Sequence, residues 1–581
     1  MKKLVSRFMA VLMAMTLILS MSMTAFAADA ADAPKGTLTV NNTVEGKTLD
    51  LYQIFTATKS GENVAYTLNS AYEGFFQSKI TDASTLKGEA LSEKAYDYVK
   101  TQVGTDGSNG AAFAKDMLGW ILDLKNNITA TKTVVTTAPS TQISDLAYGY
   151  YLVYPKGATD TSAAPGNQTY TSAASLVNVT GDTSINMKSN YPTVDKKIIP
   201  AQSGSGIKVG AIVDASWDGS HHMGLEDDEN ESEDTIAPRG AADEKKAGDF
   251  GIGDTVTYQL TSKVPDMTGY NSYTFKFSDA LSKGLDLKEV LSVKVGNTTL
   301  TAKGTGANTY ALAYDQAKRT LTVTLNDFYN SYKNHTGETI TVVYTATLNK
   351  DAVIGMNPNT NKAVVEYSND PTTGGTGTSE PSIVDVHTFD FTIYKYYLKG
   401  QKKTSLANAE FELYKANKAG DAADTNAKIN IVDEGKGVYR QATADEAKVT
   451  GFTSAKIVSD DDGKVLVKGL DAGTYYLRET KAPDGYNKLL SDIKVVIEAN
   501  YDTTTGKLTS YSVDYTYNGT KTPGTAITSK DNSPEVPVEN KTGAQLPSTG
   551  SKGALMVTLA GIVLFGALTA SKAFGKKKAK N

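Results

Sequence analysis

Apolar and polar residues alternate with a period of two along most of this chain, which is the pattern of half-buried strands. Thr37-Leu38-Thr39-Val40 and Leu49–Phe55 open the series. Val134–Val135, Tyr150–Val153 and Leu176–Val179 continue it. Between them the period lengthens to that of a helix. One helix is predicted over Ser92–Val103, with Ser92 as its N-cap. A second carries Phe113, Met117, Leu118, Ile121 and Leu122 on one face, with Trp120 as a core residue. Residues 35–188 therefore read as a β-sandwich decorated with helices. Strand patterns at Thr255–Ser262, Tyr273–Ser278, Thr320–Leu325, Thr339–Leu348 and Ala363–Tyr367 make a second sandwich over 190–383. A third, over 384–542, is all β: Phe389–Lys395, Ala409–Tyr414, Val465–Val467, Thr474–Arg478, Ile493–Ile497 and Tyr511–Tyr517. The expected fold class is all-β, in tandem Ig-like sandwiches.

Two apolar runs at the termini have no such period. Lys2, Lys3 and Arg7 precede the first, from about Phe8 to Met23, and Ala25-Phe26-Ala27 follows it. Residues 1–27 thus read as a secretory signal peptide, cleaved between Ala27 and Ala28. The second run, 553–571, approaches the ~20 residues a membrane-spanning helix needs. It follows Leu546-Pro547-Ser548-Thr549-Gly550 and precedes the basic tail 572–581, with Lys576, Lys577, Lys578 and Lys580.

Composition narrows the chemistry. Charged residues make up 21% and the net charge is −5, so no pull toward nucleic acid is expected. Cysteine is absent, which removes disulfides, thiolate metal sites and Cys nucleophiles from an exported chain. Four histidines leave little for a metal or catalytic centre. No cofactor and no resident metal are expected, and the chain reads as a non-enzyme. The stretch 203–246, with His221-His222 and the acidic run Glu226–Asp234, lacks the spaced ligands and tight glycine turn of a calcium loop. It is expected to be a solvated insertion.

LPSTG, an apolar segment and a lysine tail, in that order, resemble the cell-wall sorting signal of Gram-positive surface proteins. The resemblance implies cleavage by a sortase between Thr549 and Gly550 and transfer of the Thr549 carboxyl group to an amine. The membrane segment then becomes a temporary tether, and the protein is expected at the cell wall. A longer match lies in Tyr475–Tyr486, which fits YxLxETxAPxGY. It resembles the B-type domains of collagen adhesins and pilins. That family forms an internal Lys–Asn isopeptide bond promoted by the motif's Glu, which implies Lys395, Glu479 and Asn540 here. Alternation supports the assignment, because Phe389, Phe391, Ile393 and Lys395 share one strand face. Burial there would disfavour the ammonium and leave a nucleophilic amine. A parallel trio in the second region, Lys196, Asp279 and Asn361, looks like the A-type pilin domain. Val194, Lys196 and Ile198 share a face, which selects Lys196 over Lys197. No bond is expected in the first region, whose opening strand lacks an inward lysine.

Three regions in pilin order imply the major subunit of a sortase-assembled pilus. In such pilins Thr549 would be joined to a lysine of the next subunit. Lys188, in Asn186-Met187-Lys188 at the end of the first region, is the expected acceptor. Lys156, in Tyr154-Pro155-Lys156, is the alternative. The implied partners are identical subunits, a pilus-type (class C) sortase, the housekeeping sortase with peptidoglycan, ancillary pilins and a host surface ligand. The alternative function is a monomeric wall-anchored adhesin that binds a host ligand.

Overall fold

The computed structural model describes residues 34–104, 110–158, 174–187, 191–201, 206–208, 246–302, 304–503, 505–529 and 532–542. The expected signal peptide, with Ala27 and Ala28, lies outside them. So do Lys188, the acidic run of the insertion, Thr549, Gly550 and the segment 553–571. Among the described residues no helix is long and apolar enough to cross a membrane.

In the first region, Thr48–Ser60 is a strand buried on both faces. Leu49 and Leu51 face a small sheet of Ser140–Ala147, Lys35–Asn41 and Thr183–Asn186. Tyr52 and Ile54 face helices Glu73–Lys79, Gly88–Val103 and Gly110–Leu122. The decorated sandwich is as expected, but the first predicted helix begins earlier. It starts at Gly88, and Ser92 lies inside it, buried, with Oγ accepting from Leu68 N at 2.8 Å. Helix Glu73–Lys79 had no clear periodic signal. Trp120 packs against the helical core, edge-on to Phe75.

The second region closes two sheets on one core. One has the order Ile207–Lys208, Leu285–Val295, Thr339–Leu348, Thr255–Lys263, Asp195–Ile199. The other is built on Ser382–His387, Asn359–Ser368, Phe275–Leu281, Thr320–Leu325 and Thr309–Asp315. Tyr258, Leu260, Val342 and Tyr344 from the first meet Phe275, Phe277, Ala363 and Val365 from the second. The third region repeats this plan. Phe389–Lys399 lies antiparallel to Lys464–Leu470 and parallel to Glu535–Glu539, so the first and last strands are neighbours. Glu410–Ala416, Gly473–Lys481, Ile493–Tyr501 and Leu508–Tyr517 form the facing sheet.

Candidate functional site

Strand geometry places both predicted lysines in the cores. In Asp195–Ile199 the burial alternates, with Lys196 and Ile198 inward and Asp195, Lys197 and Ile199 partly exposed. In Phe389–Lys399 the inward series is Phe389, Phe391, Ile393, Lys395, all 0% exposed. An ammonium in such a place is costly unless it is paired. Each lysine meets one buried carboxyl group.

In the second region Lys196 comes from one sheet, and Asp279 and Asn361 come from the other. Asp279 lies on Phe275–Leu281, and Asn361 opposes Leu281 on the adjacent strand. Lys196 Nζ donates to Asp279 Oδ2 and, at 2.5 Å, to the hydroxyl of Tyr344. Asn361 Nδ2 donates to the same hydroxyl at 2.7 Å. Tyr344 stacks on Tyr258 with ring centroids 5.2 Å apart, and the Lys196 amine lies 4.9 Å from the Tyr258 ring centre. Burial pulls the Lys196 amine down to about 8, against the attraction of Asp279. Burial likewise raises the Asp279 carboxyl above the usual carboxylate range, against Lys196. Both shifts favour a neutral amine beside a neutral acid. Asp279 Oδ1 and Asn361 Oδ1 are buried without a hydrogen bond. Lys246 braces the site. Its buried amine donates to Asp195 Oδ1 and, at 2.7 Å, to the Lys196 carbonyl.

In the third region the lysine and asparagine share one sheet. Asn540 follows the last strand, and its N–H donates to the Tyr396 carbonyl at 2.9 Å. Glu479 reaches in from the facing sheet. Its Oε1 lies 3.2 Å from Lys395 Nζ, off the hydrogen-bond direction. Its Oε2 accepts from Asn540 Nδ2 at 3.1 Å and from Leu489 N at 2.7 Å. Asn540 Nδ2 also donates to the Asn487 carbonyl at 2.9 Å. Burial brings Lys395 down to about 8, against the pull of Glu479.

Each trio of predicted residues thus meets in one buried cluster. Tyr344, Tyr258, Lys246 and the Asn487–Leu489 backbone had not been singled out from the sequence. The alternation of Thr339–Leu348 does put Tyr344 on the core face with Val342 and Ala346. In the first region, Lys35–Asn41 presents Leu38 and Val40 inward. Lys156 is already engaged, with Nζ 3.2 Å from both Asp50 Oδ2 and Asp370 Oδ2. Burial opposes its charge, but the two aspartates outweigh burial and raise it above the ordinary amine value. Among the described residues no group of three or more His, Asp or Glu could hold a metal ion.

Residues 252–371 match the family "Gram-positive pilin backbone subunit 2, Cna-B-like domain", and residues 390–511 match a prealbumin-like fold domain. Over 308 residues the chain is 27% identical to the trypsin-resistant surface T6 protein of Streptococcus pyogenes. That match spans 51% of this chain and about half the length, 50%, of the relative. Similar solved structures include the T6 backbone pilin of S. pyogenes, at 15% identity, covering 88% of this chain and 99% of that one, TM-score 0.42. Another is the major pilin SpaA of Corynebacterium diphtheriae, at 15% identity, covering 87% and 100%, TM-score 0.40. Two regions of the chain are thus similar to domains of Gram-positive pilin backbones and of prealbumin-like fold, which are structural and not enzyme families.

Proposed function

We propose that this protein is the shaft subunit of a covalently assembled surface pilus, and that it locks its own domains with Lys196–Asn361 and Lys395–Asn540 isopeptide bonds. The observation that carries the reading is the pair of separate, fully buried Lys–carboxyl–Asn clusters. In each, the neutral lysine Nζ attacks Asn Cγ, the Cγ–Nδ2 bond breaks and ammonia leaves. The carboxyl group assists the proton transfers. The reaction occurs once per molecule. In assembly, a pilus-type sortase would join Thr549 of one subunit to Lys188 of the next, giving an open head-to-tail filament. The housekeeping sortase would attach its base to peptidoglycan. Lys156 is the weaker acceptor, because two aspartates already hold its amine.

Intact mass of the mature chain tests the crosslinks. Two bonds lower it by two ammonias, and the full calculated mass would refute them. Cell-wall extracts test the assembly. A shaft subunit gives a covalent ladder on a denaturing gel that is lost in Lys188→Ala. A single band unaffected by that change identifies a monomeric wall-anchored adhesin.

A further inference from the structure

The two clusters differ in how the carboxyl group meets the asparagine. Glu479 touches both partners, with one oxygen toward Lys395 and the other accepting from Asn540 Nδ2. Aspartate is shorter by one methylene. Asp279 bonds to Lys196, while the bond from Asn361 Nδ2 goes to Tyr344. The Tyr344 hydroxyl therefore stands where the second carboxylate oxygen stands in the third region. It accepts from the attacking nitrogen at 2.5 Å and from the departing nitrogen at 2.7 Å. Burial, with the nearby Asp279 charge adding to it, raises its phenol well above the ordinary value. Its ring is fixed by the stack on Tyr258 and is fully buried, so no solvent competes for the proton.

We propose that Tyr344 is a catalytic residue of the second-region crosslink, carrying a proton from Lys196 Nζ to the departing Nδ2 of Asn361. This rests on the crosslinking reading above. As Nζ bonds to Cγ, one Nζ proton passes to the phenolic oxygen, directly or through Asp279. The phenolic proton passes to Nδ2. The Cγ–Nδ2 bond then breaks and releases ammonia. The products are one secondary amide and one ammonia, with Tyr344 and Asp279 returned to their starting forms. General acid–base transfer of this kind contributes roughly 100-fold or more in rate.

The test follows crosslinking in newly made mature chain by digestion and peptide mass. Tyr344→Phe keeps the ring and its stack but removes the hydroxyl. It is expected to slow the Lys196–Asn361 bond by on the order of 100-fold, while Lys395–Asn540 forms at the normal rate. Adding Asp279→Glu to Tyr344→Phe lengthens the carboxyl arm to the third-region arrangement and is expected to restore the bond. Crosslinking of Tyr344→Phe at the wild-type rate overturns the proposal. So does a double variant as slow as the single one, since that outcome assigns Tyr344 a packing role alone. If Tyr344→Phe does not fold, 3,5-difluorotyrosine at position 344 keeps both ring and hydroxyl but makes the phenol more acidic. The rate–pH profile is then expected to move to lower pH, and an unmoved profile overturns the proposal. Absence of the bond in the unmodified chain refutes the crosslink itself, which is a separate result.

Discussion

The third-region lysine and asparagine sit on neighbouring strands of one sheet, whereas those of the second region sit on opposite sheets. A bond at Lys395–Asn540 would tie the first strand to the last. Load entering at one end would then leave at the other without crossing the strands between. A bond at Lys196–Asn361 would cross the sandwich and stop one strand short, because Ser382–His387 still follows. The same reaction would make one region nearly inextensible and leave the other a short compliant tail. The difference also sets what each carboxyl group must reach. Glu479 spans both partners alone, whereas Asp279 works beside a tyrosine.

The largest effect expected is that of Glu479→Ala. Against its own calculated mass, the variant should show one ammonia loss instead of two. Each proposed bond would close a loop of roughly 150 residues, which the chain-entropy account rates at about 5 kcal/mol. Glu479→Ala also strips Leu489 N of its acceptor, so the third region should melt well below the parent. Asp279→Ala should restore one ammonia in the second region at a cost closer to the bond alone. If either variant removes both bonds, the two sites are not independent. Single-molecule pulling sharpens the mechanical contrast. Residues 362–387 should pay out at most roughly 90 Å at ~3.4 Å per residue, and the third region should stay closed.

A smaller effect appears with pH. In Asn540→Ala the Lys395 amine stays free and buried, with a folded value of about 8 against roughly 10.4 when unfolded. Between those values the unfolded chain binds more protons, so stability should rise with pH across the window, by on the order of 3 kcal/mol. Below about 8 the slope should vanish. Adding Lys395→Met should flatten the whole curve, and a slope that survives it would belong to another group. The smallest change is Lys156→Ala. It removes ion pairs that are partly open to solvent, worth about 1 kcal/mol or less, and should leave both crosslink masses untouched. Loss of the pilus ladder in this variant would instead make Lys156 the acceptor.

What was legible in the sequence was what a single strand decides. Alternation alone placed Lys196 and Lys395 inward, and a long motif marked Glu479. Tyr344 could be placed in the core in the same way. Its contact with Lys196 and Asn361 depends on how the sheets stack, which no local pattern records. Leu285–Val295 escaped notice for a different reason. Its pairing with Thr339–Leu348 slips at Leu287/Glu289 and at Val290/Ser292. Such bulges break the period of two and leave charged residues in irregular order. Ser92 misled because a serine before an apolar run looks like a cap. The real helix extends a turn further through Gly88-Glu89-Ala90-Leu91.

The flanks of the insertion have a consequence for descent. On one side Ile207–Lys208 is paired to Leu285–Val295. On the other, Lys246 is anchored to Asp195 and the Lys196 carbonyl, and Ala247–Asp249 is paired to Ser382–His387. With both ends held, each doubling of the chain between them costs only about 0.6 kcal/mol. A lineage can therefore lengthen or rewrite that stretch over generations while the residues around Lys196 stay fixed. Changes of length between these two anchors leave the contacts that hold Lys196 in place.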